Sequence, residues 1–342
     1  MKWYEKNSRN LPWRASKDPY KIWLSEIILQ QTRINQGVPY YKKFLNKFPT
    51  IFHLAKSEEE TVLKLWQGLG YYSRAQNLHL TAKRIVNEFN GIFPKSHKEL
   101  IKLRGIGDYT ASAICSICFD IPEAVIDGNS FRLISRFFGI KSPIDSMKGF
   151  KKFKIKANKL IVGQPPGDFN QAMMDFGSVQ CKPRNPDCNE CVMSNKCYAF
   201  NNYKIDFYPV KTKKLKVKTR FLNYLVIHNF KRQIVLKKTI NKGIWNNLYQ
   251  FPMIESNNIL KSPNIEFHKT IKEYSSNEVF SIKSTFDRPI THKLTHQKLI
   301  IQFWDIRLSK NSTLPFDKEQ ALSLPVPIII EKFITQFYNT LN

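Results

Sequence analysis

The sequence is poor in acidic residues and in long hydrophobic runs. It has 27 Asp and Glu against 54 Lys and Arg in 342 residues, which leaves a formal net charge of +27. No apolar run approaches the length that spans a membrane, and the first residues, MKWYEKNSRNLPW, lack the apolar segment of a signal peptide. These absences predict no membrane partner and a cytoplasmic or nucleoid-associated protein.

The excess of basic residues predicts a polyanionic partner, with nucleic acid favoured over an anionic membrane surface. Lysine-rich codon usage in an AT-rich genome is the alternative source of this charge. The hydrophobic fraction of 42% and the aromatic fraction of 13% suit a folded globular protein. The length leaves room for two domains, each with its own core.

The chain changes character near residue 200. Before it, apolar residues recur with helical spacing, and Gly or Pro separates the segments. After it, stretches such as FLNYLVIHNF, QIVLKK, SIKSTFD and KLIIQFWDI are rich in β-branched and aromatic residues, which is typical of strands. We therefore predict an all-α domain at 1–200, a basic linker at 201–220 and a smaller α+β domain at 221–342. Helices are predicted near 20–35, 38–48, 58–68, 74–89, 96–103, 108–119, 128–138 and 327–340.

The stretch WLSEIILQQT, residues 23–32, places a carboxylate inside an apolar helical run. Ile22, Trp23 and Leu29 share a helix face with Glu26. The Glu26 side chain is therefore expected to face inward, where apolar neighbours raise its pKa. A perturbed carboxylate of this kind is typical of an active site, and a helix turned so that Glu26 rims the surface is the alternative.

Four of the six cysteines occur in CKPRNPDCNECVMSNKC, with the spacing C-x6-C-x2-C-x5-C. Disulfides are not expected without secretion, so the spacing predicts a metal centre. Zinc and a [4Fe-4S] cluster both accept four thiolates, and these residues alone leave the two open. Cys115 and Cys118 fall in an apolar helical segment and are expected in the core.

The stretch LRGIGDYTASAI, residues 103–114, has two glycines between helical segments, and Asp108 is expected to cap the second helix. Such a turn exposes N–H groups to a DNA phosphate at a helix N-terminus, although many helix hairpins need glycine merely to turn. Farther on, VIDGNSFRL places Asp127 before a Gly-Asn turn. An ordinary N-cap is the alternative to a functional role for Asp127.

The order of these features resembles the endonuclease III superfamily of DNA glycosylases, and LPWR, WLSEIILQQT, GLGYYSRAQNLH and FNQAMMDFG resemble its adenine-specific branch. The resemblance covers residues 3–200 and implies a helix–hairpin–helix near 100–115 and a [4Fe-4S] cluster in loop 181–197. Bifunctional members carry a nucleophilic lysine where this chain has Tyr109, which favours hydrolysis without a lyase step. The implied activity is a monofunctional glycosylase that flips out and excises adenine mispaired with 8-oxoguanine or guanine in base excision repair.

The resemblance also implies roles for single residues. Glu26 would protonate adenine and help to activate water, and Asp127 would stabilise the oxocarbenium-like sugar. The adenine pocket is expected to involve Trp13, Arg14, Tyr109 and Asp175. DNA contacts are expected from Gln31, Thr32, Leu69, Tyr71, Gly105 and Gly107. The cluster ligands would be Cys181, Cys188, Cys191 and Cys197.

The stretches KGIWNNLYQFP and THKLTHQKL resemble, less specifically, the Nudix-like domain attached to adenine glycosylases, with Asn247 in place of a usual glycine. The carboxylate-rich box of Nudix hydrolases is absent, which favours a binding module over a second enzyme. By this resemblance Leu294, Thr295 and His296 would contact 8-oxoguanine, and a plain hairpin turn is the alternative.

The expected partner is double-stranded DNA that carries an A:8-oxoguanine or A:G mispair, bound by a monomer. Two alternatives are another glycosylase of the endonuclease III superfamily and a non-catalytic iron–sulfur DNA-binding protein. The second alternative has no need for Glu26 together with Asp127.

Overall fold

The computed structural model describes residues 1–212, 217–240, 243–274, 279–308 and 313–339. The chain divides into two compact units, the first formed by Met1–Ser57 with Asn77–Lys213 and the second by Glu58–Gln76 with Lys214–Asn342. Residues 213–216 of the predicted linker lie outside the described residues. The N-terminal part is helical and the C-terminal part mixes helices and strands, so the predicted fold class is confirmed.

Helices account for the regular structure of the described residues up to 212. They are α1 (Lys2–Asn7), α2 (Pro19–Leu29), α3 (Ile34–Lys47), α4 (Ile51–Lys56), α5 (Glu59–Trp66), α6 (Ser73–Phe89), α7 (His97–Leu100), α8 (Asp108–Phe119), α9 (Gly128–Phe138), α10 (Met147–Ile161), α11 (Pro166–Val179) and α12 (Tyr198–Asn201), with 3-10 turns at Pro12–Ala15 and Ser194–Lys196. Within the described ranges, no helix combines the length and the apolar character needed to cross a membrane.

The helix predictions differ from the structure in several places, since α1, α4, α10, α11 and α12 were not predicted and α2 is shorter than predicted. α2 ends at Leu29, earlier than predicted, because the backbone enters the left-handed region at Gln31, with φ of 56°. α10 was not predicted, because six lysines mask its apolar positions. Its face is nevertheless regular, since Phe153, Ala157 and Ile161 recur every fourth residue and are buried.

The second unit is built on a mixed sheet. Its strands are β1 (Lys218–His228), β2 (Lys237–Lys238), β3 (Tyr249–Gln250), β4 (Met253–Ser256), β5 (Val279–Ser284), β6 (Ile290–Lys293) and β7 (Gln297–Leu308), and its further helices are α13 (Ile265–Tyr274), α14 (Lys318–Ser323) and α15 (Ile328–Asn339). The main sheet has the order β4-β1-β7-β5, and β6 also pairs with β7. β1 and β7 are parallel, and the other pairs of this sheet are antiparallel.

The parallel pair at the centre of the sheet holds the core of the second unit. All residues from Leu222 to Ile227 are buried, as expected for a strand covered on both faces. Trp304 of β7 packs edge-to-face against Phe267 of α13, at 5.1 Å between ring centroids. The Trp304 indole N–H donates to Asn223 Oδ1 at 3.2 Å, so its polar atom is paired inside the core.

The segment Glu58–Gln76 groups with the sheet although it lies far from it in sequence. Glu60 of α5 accepts a hydrogen bond from Lys238 Nζ at 2.8 Å. Lys64 Nζ donates to the carbonyl oxygen of Leu322 at 2.7 Å, at the end of α14. These contacts tie α5 to both β2 and α14.

Asn247 occupies the position where the resemblance leads us to expect glycine. Its φ of 61° is left-handed, a conformation that asparagine tolerates better than most residues. Its side-chain amide donates to both carboxylate oxygens of Glu59, at 3.1 and 3.0 Å. Asn247 therefore keeps the turn of a glycine and adds a tether to α5.

Candidate active site

The candidate site is built around Glu26 on α2. The Asp18 side chain caps this helix by accepting a hydrogen bond from Tyr20 N at 2.9 Å, and Pro19 occupies its first position. Residues 22–28 are all buried, which makes α2 a central helix of the first unit. Glu26 itself is 6% exposed, so the apolar spacing correctly predicted an inward-facing carboxyl group.

Burial raises the pKa of Glu26 to about 7. A hydrogen bond with Tyr109 acts in the opposite direction, the negative charge of Asp127 raises the pKa further, and the positive charge of Arg14 lowers it. A carboxyl group with a pKa near 7 is partly protonated at neutral pH. It can therefore supply a proton to a substrate under physiological conditions.

Tyr109 lies on α8 and is the hydrogen-bond partner of Glu26. Its hydroxyl is also 3.4 Å from the Sδ atom of Met174 on α11. Burial raises the pKa of Tyr109 well above its ordinary value, and the charges of Glu26 and Asp127 raise it further. Tyr109 is thus a neutral hydroxyl that positions the Glu26 carboxyl group.

A small cavity opens beside Glu26 and Tyr109, and the predicted pocket residues Trp13 and Arg14 line it. Its volume is about 60 Å³, well below the roughly 300–1,000 Å³ of typical ligand pockets. A purine could enter only after the lining side chains move. The other lining residues are Arg9, Leu11, Ile22, Leu29, Ile34, Ile117, Gln171 and Met174.

Asp175 of α11 anchors the two arginines among the described lining residues of this cavity, Arg9 and Arg14. It is fully buried, and it accepts hydrogen bonds from Arg14 Nη1 and Nη2 at 2.7 and 2.8 Å and from Arg9 Nε at 2.7 Å. Burial alone would raise the pKa of Asp175, but the hydrogen bonds from Arg14 and Arg9 outweigh it and lower the pKa. Sequence reasoning missed Arg9, because nothing in NSRNLPWR distinguishes it from a surface arginine.

Asp127 is the N-cap of α9, as the alternative interpretation of this residue in the sequence expected. Its Oδ1 accepts hydrogen bonds from the Ser130 backbone N–H at 2.7 Å and from Ser130 Oγ at 2.8 Å. Its Oδ2 accepts from Asn129 Nδ2 at 2.7 Å. Three donors are thus directed at the two carboxylate oxygens, and both oxygens are paired. The same residue is close enough to Glu26 to raise its pKa, so Asp127 combines a capping role with an electrostatic one.

Two arginines of α9 were not singled out in the sequence. Arg132 Nη2 donates to Asn129 Oδ1 at 2.9 Å, and Arg132 Nε donates to the carbonyl oxygen of Cys181 at 2.7 Å. Arg136 is 2% exposed and donates to the carbonyl oxygen of Lys182 at 2.7 Å. Their four-residue spacing on one helix face was the available signal, but the burial of that face is a tertiary property.

The four predicted cysteine ligands all line one cavity of about 30 Å³. All four are free thiols, and Arg136 Nη1 lies 3.5 Å from the Sγ atom of Cys181. Among the described residues, no set of three or more His, Cys, Asp or Glu side chains is placed to hold a metal ion. Of the two core cysteines predicted, Cys115 is fully buried and Cys118 is half-buried.

The hairpin before α8 has a glycine requirement at Gly105. Its φ is 81°, and an added Cβ would lie 2.8 Å from the Cβ of Asn77. Gly107 is the N-cap of α8 and has open space where a Cβ would stand. The prediction that Asp108 caps this helix is wrong, because Asp108 is its first residue and instead pairs with Lys154 Nζ at 3.2 Å.

Gln31 and Thr32 follow α2 directly. Gln31 is exposed and left-handed, whereas Thr32 is half-buried and its backbone N–H donates to the Leu29 carbonyl oxygen at 3.1 Å. This turn leaves the Gln31 side chain in solvent. It is therefore available to an external partner.

The predicted 8-oxoguanine residues form the turn between β6 and β7, where Leu294 N donates to the Gln297 carbonyl oxygen at 2.8 Å. Leu294, Thr295 and His296 line a cavity of about 410 Å³, and Leu69 and Tyr71 line the same cavity. The Tyr71 hydroxyl is hydrogen bonded to Thr295 Oγ1. Leu69 is 7% exposed and Tyr71 42%, so of these two predicted DNA contacts Tyr71 is the accessible one.

Comparison with known proteins shows to which class of protein the chain belongs. Residues 24–157 match the family model of the HhH-GPD superfamily base excision DNA repair proteins, and residues 223–336 match a NUDIX domain. A solved thermostable thymine-DNA glycosylase is 31% identical, with a TM-score of 0.55 over 59% of this chain and 93% of that one. Endonuclease III in a non-covalent DNA complex, 21% identical with a TM-score of 0.51, shares the fold. The fold and the site thus define a base excision DNA repair glycosylase, an enzyme that hydrolyses N-glycosyl bonds.

Curated relatives show to which family within this class of enzymes the chain belongs. An adenine DNA glycosylase of Buchnera aphidicola subsp. Schizaphis graminum is 34% identical over 98% of this chain and 97% of its own length. A second, from Buchnera aphidicola subsp. Baizongia pistaciae, is 35% identical over 99% and 96%. The human adenine DNA glycosylase is 37% identical over 58% of this chain and 38% of its own. The chain belongs to the adenine DNA glycosylase family.

Proposed function

We propose that the protein is a monofunctional glycosylase that flips adenine out of a DNA duplex and excises it when it is paired with 8-oxoguanine or guanine. The observation that carries the proposal is Glu26, a buried carboxyl group with a pKa of about 7 at the wall of a cavity. Its electrostatic coupling to Asp127 supplies the second carboxylate that glycoside chemistry needs.

The proposed reaction uses two carboxyl groups of this site and one water molecule. The Glu26 carboxylic acid transfers its proton to N7 of adenine, and the C1′–N9 bond breaks with its electron pair going to N9. The positive charge that develops on the sugar is stabilised by the Asp127 carboxylate. Glu26, now ionised, accepts a proton from the water whose oxygen bonds to C1′.

The pocket arginine has a positioning role in this proposal. Asp175 holds the Arg14 guanidinium by two hydrogen bonds, so its orientation at the cavity is defined before the substrate arrives. Trp13 is held by an edge-to-face contact with Tyr41, at 5.3 Å between ring centroids. Tyr109 takes the position of the lysine of bifunctional relatives and offers no amine for a Schiff base.

We also propose that Cys181, Cys188, Cys191 and Cys197 hold a [4Fe-4S] cluster. All four cysteines are free and line one cavity. Their spacing, C-x6-C-x2-C-x5-C, resembles that of the endonuclease III superfamily, and this resemblance favours the cluster over a single zinc ion. Iron and acid-labile sulfide analysis of purified protein tests the assignment, and stoichiometric zinc without iron would reject it.

DNA binding is proposed to use the hairpin and the turn after α2. Gly105 and Gly107 expose the start of α8 to a phosphate, and Gln31 projects into solvent beyond α2. The net charge of +27 supports a polyanionic partner. We propose that a monomer binds the duplex, in the cytoplasm of a bacterium and in association with the nucleoid.

The second unit is proposed to read the base opposite adenine. The turn formed by Leu294, Thr295 and His296 lines a cavity of about 410 Å³, a size within the range of ligand pockets. The Thr295 hydroxyl can donate to and accept from the altered edge of 8-oxoguanine.

The test is an excision assay on matched duplexes that carry A opposite 8-oxoguanine, A opposite G, T opposite G, or thymine glycol. The proposal expects release of adenine from the first two and no release from the others. The T:G duplex is included because the chain also resembles a thymine-DNA glycosylase. Excision of thymine or of thymine glycol in preference to adenine would reject the proposed specificity.

A further inference from the structure

A second cavity in the second unit lies at the far end of the sheet from the Leu294–His296 turn. Its volume is about 450 Å³, within the roughly 300–1,000 Å³ typical of ligand pockets. His228, the last residue of β1, and Arg307, near the end of β7, line it. Two parallel strands thus end at this cavity, which is the edge where sheets with parallel strands commonly bind ligands.

The two cavities of the second unit are too far apart to hold one ligand. Gln297 at the start of β7 lines the first cavity and Arg307 lines the second. They are ten residues apart on one strand, which corresponds to about 33 Å at the usual rise of a strand. A base read by Thr295 therefore does not occupy the second cavity.

The charges that line the second cavity favour an anion. Its cations are Arg232, Lys283 and Arg307, and Asp305 is the carboxylate among its described lining residues. Burial alone would raise the pKa of Asp305, but a hydrogen bond with His228 at 3.1 Å and the nearby cations lower it, so Asp305 is ionised. Among the described lining residues, the three cations therefore outnumber the one carboxylate.

Aromatic rings alternate with these cations. Phe230 is 37% exposed, and the guanidinium of Arg307 lies 4.0 Å from its ring centroid. Phe337 of α15 is half-buried, with Arg232 at 5.0 Å from its ring. Rings beside cations are the surroundings in which a nucleobase stacks while its phosphate is neutralised.

We propose that this cavity binds a nucleotide, with its base against Phe230 and Phe337 and its phosphate near Lys283 and Arg307. The hydroxyl groups of Thr285 and Ser281, which also line the cavity, offer donors to the sugar or the phosphate. The ligand chemistry is a base joined to a phosphate, which either a free nucleotide or one unit of a nucleic acid strand provides.

The full-length protein tests the proposal by calorimetric titration with dGMP, dAMP and inorganic phosphate. We expect saturable binding of one mononucleotide at this cavity, with inorganic phosphate at least about tenfold weaker. Lys283→Gln, an exposed position, should weaken mononucleotide binding by about tenfold, because a charge-assisted contact is lost. Phe230→Leu keeps an apolar side chain but removes the ring and should weaken binding severalfold. Lys272→Gln, at an exposed position of α13 that is not among the described lining residues of either cavity, should leave it unchanged.

Displacement of dGMP from wild-type protein by a short oligothymidylate identifies the source of the nucleotide. Displacement assigns the cavity to a nucleic acid strand, and persistence of bound dGMP assigns it to a free nucleotide. Three results overturn the proposal: no saturation below about 1 mM, phosphate binding as tight as nucleotide binding, or unchanged nucleotide binding in both Lys283→Gln and Phe230→Leu. Thermal unfolding of each variant confirms that it is folded, and Lys283→Gln provides the decisive comparison if Phe230→Leu is not.

Discussion

The guanidinium of Arg14 donates one hydrogen bond to each carboxylate oxygen of Asp175, at 2.7 and 2.8 Å, across 161 residues of chain. Asp175 is fully buried, and the Arg14 side chain is 14% exposed. This planar, two-point contact defines the orientation of the guanidinium. A lysine ammonium cannot make the same two-point contact. The relationship links the turn Pro12–Ala15 to α11 at the wall of the candidate pocket.

Arg14→Lys is expected to lower single-turnover adenine excision by about tenfold or more, because the pocket wall loses its defined geometry. Lys17→Gln is the matched control. Lys17 pairs with Asp120 on the surface, with the two side chains 67% and 62% exposed, and such pairs contribute little. Full excision by Arg14→Lys would show that the two-point contact does not position the pocket.

Glu26 predicts a pH dependence of stability. Burial raises its pKa from 4.5 to about 7, so the folded protein retains a proton there that the unfolded chain releases at lower pH. This group therefore favours the folded state at low pH, and the contribution is lost as pH rises toward 7. The glutamine of the Glu26→Gln variant does not titrate, so the variant does not lose this contribution as the pH rises. Its unfolding free energy minus that of wild type should therefore increase between about pH 5 and pH 8, by up to about 3 kcal/mol.

Urea unfolding at several pH values measures this difference. Glu5→Gln, at an exposed position of α1, is the control for the substitution itself. A flat difference for Glu26→Gln would mean that Glu26 titrates like an exposed carboxyl group. Glu26→Gln should also lose adenine excision while retaining DNA binding, because an amide cannot donate the required proton.

Substitution of Asp127 separates its capping role from its electrostatic role. Asp127→Asn keeps an acceptor for the Ser130 N–H but removes the charge, and asparagine is itself a good N-cap. We expect excision to be nearly abolished while the unfolding free energy changes by about 1 kcal/mol or less. Ser130→Ala removes the Ser130 hydroxyl donor and leaves the carboxylate, so it should retain most activity. Equal losses of activity in the two variants would assign Asp127 a structural role alone.

Thr295 is expected to affect discrimination rather than excision. Thr295→Ala should weaken the preference for A:8-oxoguanine over A:G severalfold, since one hydrogen bond contributes about 0.5–1.5 kcal/mol. Thr295→Ser should restore it, and Thr291→Ala, exposed on β6 of the same hairpin, should leave it unchanged. Both duplexes are compared at one salt concentration. An unchanged ratio in Thr295→Ala would remove Thr295 from the reading site.

Point substitution tests the second unit better than truncation does. Deleting residues 221–342 would remove Lys238 and Leu322, the partners of Glu60 and Lys64 on α5. A truncated protein would therefore lose packing around Glu58–Gln76 as well as the proposed reading turn. Loss of discrimination after truncation would combine loss of the reading turn with loss of this packing, whereas Thr295→Ala removes one hydroxyl group and its hydrogen bond with Tyr71.

The sequence alone determined the class of fold, the family and the burial of Glu26. These follow from local patterns, because helical and strand periodicity and the spacing of motif residues are properties of neighbouring positions. The limits of α9 were predicted at both ends for the same reason, since Asp127 and Gly139 flank its apolar face. Where lysines interrupt that periodicity, as in α10, the local signal fails.

Only the tertiary structure decided which distant residues meet. Arg9 reaches Asp175 across 166 residues, α5 groups with the second unit through Lys238 and Leu322, and Arg132 connects Asn129 to Cys181. The sequence does not distinguish a buried arginine from an exposed one. The partners that offset the desolvation of a buried arginine lie elsewhere in the chain, so no local pattern marks it. The same holds for the second cavity of the sheet, whose cations and rings come from β1 and the turn after it, from β5 and β7, and from α15, and share no sequence motif.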